Sequence, residues 1–193
     1  MSLQHAKEVR GANVLNNSED ADFTGGDLQP LLSATHPLYA GGAYSNKLET
    51  AADISEEAIE DLCIQIAGFV NDRGRPIKIK QQMLIVPRQQ IFVANRILNS
   101  TKRVGTNLND PNVLKDGDFI PKGYMVNHYL VDPDAWWLTT DADLGLMYWQ
   151  RKGVKKGMET DFRTGNMLYK ATESVCFSWG DSRCITGSSG SIV

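Results

Sequence analysis

The side chains best suited to acid–base or metal chemistry near neutral pH are histidines, and this sequence holds three, His5, His36 and His128, far apart. None belongs to an HxxxH or HExxH pair, the spacing that sets two imidazoles on one helical face to hold zinc. The one constellation that could support catalysis joins His128 to Asp132 and Asp134. An imidazole beside two carboxylates is what a small hydrolase or metal-dependent enzyme would use, provided all three converge in one pocket. Asp116/Asp118 and Asp141/Asp143 are further acid pairs able to meet a cation in a loop, but the other ligands and the glycine of a calcium-binding loop do not accompany them. Aspartate-rich turns form for local hydrogen-bonding reasons alone, and that reading is preferred for every pair. For His128, on an expected strand, a core or surface role outweighs that of ligand or base. GxSxG and GxxxxGK[ST] are absent, and Gly41-Gly42-Ala43 does not open a helix as a dinucleotide-binding turn would. No catalytic, cofactor-binding or metal-binding residue is assigned.

Three groups of side chains point instead to contact. Arg151, Lys152, Lys155 and Lys156 cluster around Gly153, a basic patch to be solvated or to meet an acidic neighbour rather than nucleic acid. Trp136-Trp137 on a strand sends one ring to each face. One ring is then core, and the other is exposed unless a partner or a second layer covers it. A monomeric binding module using either ring as a stacking platform is an alternative. Charge is lopsided: residues 1–72 carry three basic and twelve acidic side chains, and residues 73–193 seventeen and eleven, within a net charge of −3. Complementary ends of this kind favour correct head-to-tail docking of copies. Cys63, Cys176 and Cys184 are odd in number and form no CxxC, which argues against a disulfide framework and for a reducing cytoplasm.

The elements that must position these groups read as an α+β domain. Residues 1–52, rich in Gly, Asn, Ser and Asp, are expected to be loop-like and to lean on something else. A helix follows over 55–71: Asp53 and Ser55 cap it, early glutamates favour its positive end, and Ala58, Leu62, Ile66, Phe69 and Val70 form one apolar stripe. Burying that stripe contributes roughly 8–12 kcal/mol before entropy, so it belongs to the core. A strand is expected over 75–87, a helix buried nearly all round over 88–99, and a loop over 100–121. Strands follow over 124–131, 135–139, 144–150 and 167–179, with a mobile tail over 187–193. No apolar run is long enough for a membrane span, and the first ten residues show no secretory signal.

The order of these segments resembles a known family. LLSATHPLYAGG…SN (Leu31 to Asn46) precedes the capped helix; RGRPIKI and LIVP follow, then AxxIL, DPDAWWL (Asp132 to Leu138) and DFRTGNMLYKATESVCFSWGDSRCITGSSG. Over residues 28–190 this is similar to the tailed-phage major capsid protein, in particular the Mu-like prophage head subunit of the Hong Kong 97-type capsid fold. The resemblance implies a peripheral domain with a long spine helix (53–75 and 159–193) and an axial domain with a central mixed sheet flanked by helices (76–158). Axial-domain loops, including 101–120, would point to the capsomer centre. Residues 1–52 are too short for both the N-terminal arm and the extended loop of the family, so a truncated or processed chain is expected. The implied function is that of a non-enzymatic structural subunit, self-assembling through pentamers and hexamers into an icosahedral shell around the genome. Its partners would be copies of itself, scaffolding and portal proteins, and packaged DNA non-specifically, with no membrane. It would be made in the host bacterial cytoplasm and end in the virion. An encapsulin-like compartment shell is the related alternative. Nothing here matches the lysine–asparagine cross-link that some relatives form.

Overall fold

The computed structural model describes residues 2–102 and 110–190 of the chain. The fold is α+β. In chain order the elements are α1 (Leu3–Asn16), the short pair β1 (His36–Pro37) and β2 (Ala43–Tyr44), α2 (Glu56–Ala67), β3 (Gln81–Pro87), α3 (Ile91–Asn99), the single turn α4 (Val113–Asp116), β4 (Tyr124–Asn127), β5 (Trp136–Thr140), β6 (Leu146–Thr160), β7 (Met167–Trp179) and β8 (Ile185–Ser188).

The centre is a four-stranded mixed sheet in the order β4-β3-β5-β8. β3 pairs parallel with β4 and antiparallel with β5, and β5 pairs antiparallel with β8. The continuous run Met83-Leu84-Ile85-Val86 is what a strand covered on both faces requires. Leu84, Val86, Trp136 and Leu138 pack on one face with Ile59, Leu62 and Ile66 of α2 and Ala94 and Ile97 of α3. Ile85 and Trp137 pack on the other with Val14 and Leu15 of α1, Leu31, Leu32 and Ile185. Both tryptophans are therefore buried: a second layer covers the ring that would otherwise face solvent. Their indole N–H groups are satisfied too, donating to the Ala52 carbonyl at 3.0 Å and to Ser18 Oγ at 3.3 Å.

That second layer is the largest departure from the sequence reading. The segment 1–52 opens with the helix α1, capped by Ser2, whose side chain accepts from His5 N. Its mid-helix Gly11 lies against the Phe177 ring of β7, which a Cβ there would meet at 3.3 Å, so the residue that weakens the helix signal lets the helix approach the β6-β7 pair closely.

Further elements differ in extent or environment: β4 stops at Asn127, β6 runs on to Thr160, and the turn α4 lies within the expected 100–121 loop. α2 is capped by Ser55 as expected but ends at Ala67, where Gly68 N bonds back to the Ile64 and Gln65 carbonyls. Phe69 remains in the core beyond the helix, while Ile64 is 72% exposed. β3 begins at Gln81 rather than Arg75. α3 is buried only along Ala94 and Ile97, and Phe92 stands 78% exposed, so its apolar surroundings are one stripe rather than the whole circumference.

Of the tail expected to be mobile, 187–193, Gly187 and Ser188 lie in a buried strand, and 191–193 lie outside the described residues. Gly187 has no room for a Cβ, which would lie 2.7 Å from the Trp136 carbonyl oxygen. The segment beside Lys47 bridges Gly187 in parallel, covering the outer edge of β8. β8 thus joins the same sheet as β3 and β5, and residues 158/159, the boundary expected between axial and peripheral domains, fall within one strand, β6. The basic and polar centre of the expected 101–120 loop lies at 103–109, outside the described residues. No helix among the described residues is long and apolar enough to cross a membrane.

Candidate interaction surface

β6 and β7 form a separate two-stranded antiparallel ribbon, registered from Leu146↔Trp179 at its root to Thr160↔Met167 near its tip. The root is anchored on the α1 side of the body. Lys7 Nζ pairs with Glu173 at 3.2 Å, the Tyr148 and Phe177 rings lie 5.3 Å apart, and Trp179 meets Phe23 at 5.3 Å. Beyond Glu173 toward the turn, both strands are exposed throughout. At about 3.3 Å per residue, the ten residues after Gln150 reach roughly 30 Å outward.

A two-stranded ribbon with both faces in solvent is marginally stable in water, and its two open edges are templates for pairing with another chain. Two devices temper this. The register shifts twice, between Gln150 and Lys152 and between Lys152 and Lys155, and such bulges twist a strand away from edge-to-edge pairing. The same interval carries the basic cluster Arg151, Lys152, Lys155 and Lys156, so that cluster sits on a bulged strand rather than a loop.

The turn itself is rigidly built. Asp161 N donates to the Asn166 carbonyl at 2.9 Å, Gly165 N to the Asp161 carbonyl at 2.8 Å, and Gly165 takes φ 68°, a left-handed conformation that suits glycine. The Asp161 carboxylate accepts from Thr164 Oγ1 at 2.6 Å and from Arg163 N at 3.0 Å. Those bonds hold its pKa below the ordinary aspartate value, the hydroxyl contributing most. The turn holds Phe162 fully in solvent (105% exposed), flanked by Met158, Met167, Leu168 and Tyr169, all exposed. Exposed apolar side chains gathered on one projection mark a contact surface.

A buried polar network fixes the body behind the ribbon, and sequence reading missed it. Asn46 is fully buried; its Nδ2 donates to the carbonyls of Leu31 (2.7 Å), Ser182 (2.9 Å) and Ile185 (3.1 Å), and its Oδ1 accepts from Ser33 N at 2.9 Å. His36 lies with Nε2 3.1 Å from that Oδ1 and Nδ1 2.6 Å from the Asp27 carboxylate, its ring stacked on Tyr44. Arg183 lies over the other neighbour of that stack, 4.3 Å from the Tyr44 ring, and donates to the Val70 carbonyl and to Asp72 and Asp181. Burial would lower the Arg183 pKa, but the Asp72 and Asp181 carboxylates outweigh it and the net shift is upward. Burial pushes Tyr44 up to about 12. The partners are distant in sequence and no short motif joins them; the sole signal was the shared presence of Leu31–Asn46 and the WGDSRC run in the family-like pattern.

The residues weighed for catalysis do not converge. His128 is exposed and lines a cleft of about 750 Å3 between α1, β4 and the ribbon root. Asp132 lines a different cleft beside Glu19 and Asp20, and its carboxylate accepts from Asp134 N and Ala135 N in a local turn. Asp141 is likewise used locally, accepting from Lys80 N at 2.6 Å. Among the described residues no group of three or more His, Cys, Asp or Glu is placed to hold a metal ion.

The cysteines are free, with Cys176 exposed on the ribbon. Burial pushes the Cys63 thiol up to about 11 and the Cys184 thiol up to about 12, leaving little thiolate, the reactive form, near neutral pH. A thiol titration of the native protein at pH 8 should therefore show Cys176 reacting fast and the other two only after urea is added. Three fast thiols in the native protein would contradict the packing around Cys63 and Cys184.

No protein-family model matches the chain, and no curated protein matches it significantly.

Proposed function

We propose that the chain is a structural subunit of a phage or prophage capsid, with the Hong Kong 97-type fold, self-assembling through pentamers and hexamers into an icosahedral shell around the genome. The observation that carries the proposal is the ribbon 146–179: a preorganised projection with exposed apolar and basic side chains, on a body where His128 and Asp132 line separate clefts. A shell subunit uses such a projection to reach its neighbours, and closed symmetry multiplies each modest contact into a stable whole. Support also comes from the segments that resemble the family, since Leu31–Asn46 and 181–185 supply the buried network that makes the body rigid. In this role the chain ends in the virion, with scaffolding and portal proteins and packaged DNA as its other contacts.

Light scattering on a size-exclusion column, over a range of protein and salt concentrations, tests the proposal. Pentamers, hexamers or larger closed particles that grow with concentration and weaken with salt are the expected result. A monomer at every concentration, with particles also absent by negative-stain microscopy, would overturn it.

A further inference from the structure

The ribbon's outer part, residues 151–170, carries six basic side chains (Arg151, Lys152, Lys155, Lys156, Arg163, Lys170) and two acidic ones (Glu159, Asp161), net +4. Its charge opposes that of residues 1–72, where twelve acidic side chains face three basic. Part of that acidity borders a groove of about 1130 Å3 between α2 and the segment 45–52. Glu57, Asp61 and Ile64 stand one and two turns apart on the outer face of α2, with Glu49 across from them. The ammonium in the groove, Lys47, is already paired with Glu19 at 2.6 Å. Ile64, 72% exposed, gives the acidic groove an apolar rim.

We propose that the ribbon tip of one copy docks in this groove of a second copy, Phe162 covering Ile64 and Arg163 engaging the Asp61 and Glu49 carboxylates. A second copy is the occupant because the complement is written into the chain itself: a basic projection with an apolar point, and an acidic groove with an apolar rim. Arginine's planar fork suits paired carboxylates, and a rigid tip loses little entropy on docking. Intramolecular closure is disfavoured by the fold, since α2 packs on the Trp136 face of the central sheet and the ribbon root on the Trp137 face. The contact is therefore heterologous, tip of one copy into groove of the next, and such contacts close into rings when the rotation permits. Nucleic acid would match the ribbon's charge but not its exposed Phe162, Met167 and Leu168, and it would be repelled by the acidic half of the same body.

The docking rests on the shell-subunit proposal for its second copy, and the test separates the two. A tip variant, Phe162→Ser with Arg163→Glu, and a groove variant, Glu49→Lys with Asp61→Lys, change exposed residues only, and unchanged thermal melts check that both fold. Sedimentation equilibrium should show self-association at least tenfold weaker for each variant alone. Mixing the two should recover part of it, because the inverted tip meets the inverted groove and the unaltered tip meets the unaltered groove, with the Phe162 contact missing from one junction in two. Undiminished association in both variants would overturn the docking and leave the shell proposal standing. A wild-type chain monomeric at every concentration would overturn both. Tip variants that associate normally but lose binding to a duplex oligonucleotide would overturn the docking in favour of a nucleic-acid role for the ribbon.

Discussion

Asn46→Ala is expected to destabilise the protein by about 3–5 kcal/mol, enough to consume much of the stability of an ordinary domain. The side chain has no solvent exposure; its two amide N–H groups are shared among three main-chain carbonyls, at Leu31, Ser182 and Ile185, while its oxygen accepts from Ser33 N and faces His36 Nε2. Alanine removes all of these bonds; the Ser182 carbonyl keeps the Ile185 N–H, but the Leu31 carbonyl and Ser33 N lose their partner in the interior, and each orphaned group costs about 1 kcal/mol or more. Asn46→Asp sharpens the test. It preserves the shape but turns an oxygen, rather than an NH2 donor, toward three carbonyl oxygens, and it buries a charge. The loss should equal or exceed that of alanine. Urea melts of both variants, read as the shift in midpoint at constant slope, measure the effect. A loss below about 1 kcal/mol for Asn46→Ala would mean that water replaces the amide at the junction of residues 31–46 with 182–185.

What could be read from the sequence was local. Ser55 followed by early glutamates and a three-four apolar stripe does produce α2, because caps and periodicity act within a few residues of themselves. The unbroken run Met83–Val86 lies at the sheet centre for a similar reason: a strand with two covered faces needs apolar residues at every position. α1 escaped because it turns only Ala12, Val14 and Leu15 fully inward, too few for a stripe. Its stability comes from tertiary contact, as for most short helices. The end of α2 was overrun because Phe69 continues the apolar spacing although Gly68 has already stopped the helix. α3 was overburied because composition cannot tell which apolar side chains find neighbours, and Phe92 finds none that covers it. For the interaction surface, the basic cluster and the split of charge were visible in the residues. That the cluster rides a bulged strand, and that Phe162 stands on a fixed turn, depends on the pairing of residues 146–160 with 167–179. His36, isolated from the other histidines, shows the same limit: its partners Asp27 and Asn46 are nine and ten residues away, but two of the three carbonyls that orient Asn46, at Ser182 and Ile185, come from the far end of the chain.

Trp136→Ala and Trp137→Ala should each cost about 3–5 kcal/mol, and the second substitution is the more informative. Neighbouring residues on a strand usually differ in fate, one ring packed and one wet; here Trp136 is 0% exposed and Trp137 3%. Trp136 sits among Ile59, Leu62 and Leu138, a layer already legible in α2, so a large cavity there is unsurprising. Trp137 owes its burial to Val14, Leu15, Leu31 and Leu32, residues from the segment that reads as loop-like. Its large truncation cost therefore measures whether α1 and residues 31–32 truly form a packed layer. Trp137→Phe, which gives up the bond to Ser18 Oγ and part of the bicyclic ring but still fills most of the site, should cost clearly less, about 1–2 kcal/mol. The gap between the phenylalanine and alanine variants isolates packing from hydrogen bonding. If Trp137→Ala instead melted like the wild type, the N-terminal layer would not be holding the ring. The Trp137 face would then be open to a partner, as a stacking platform requires.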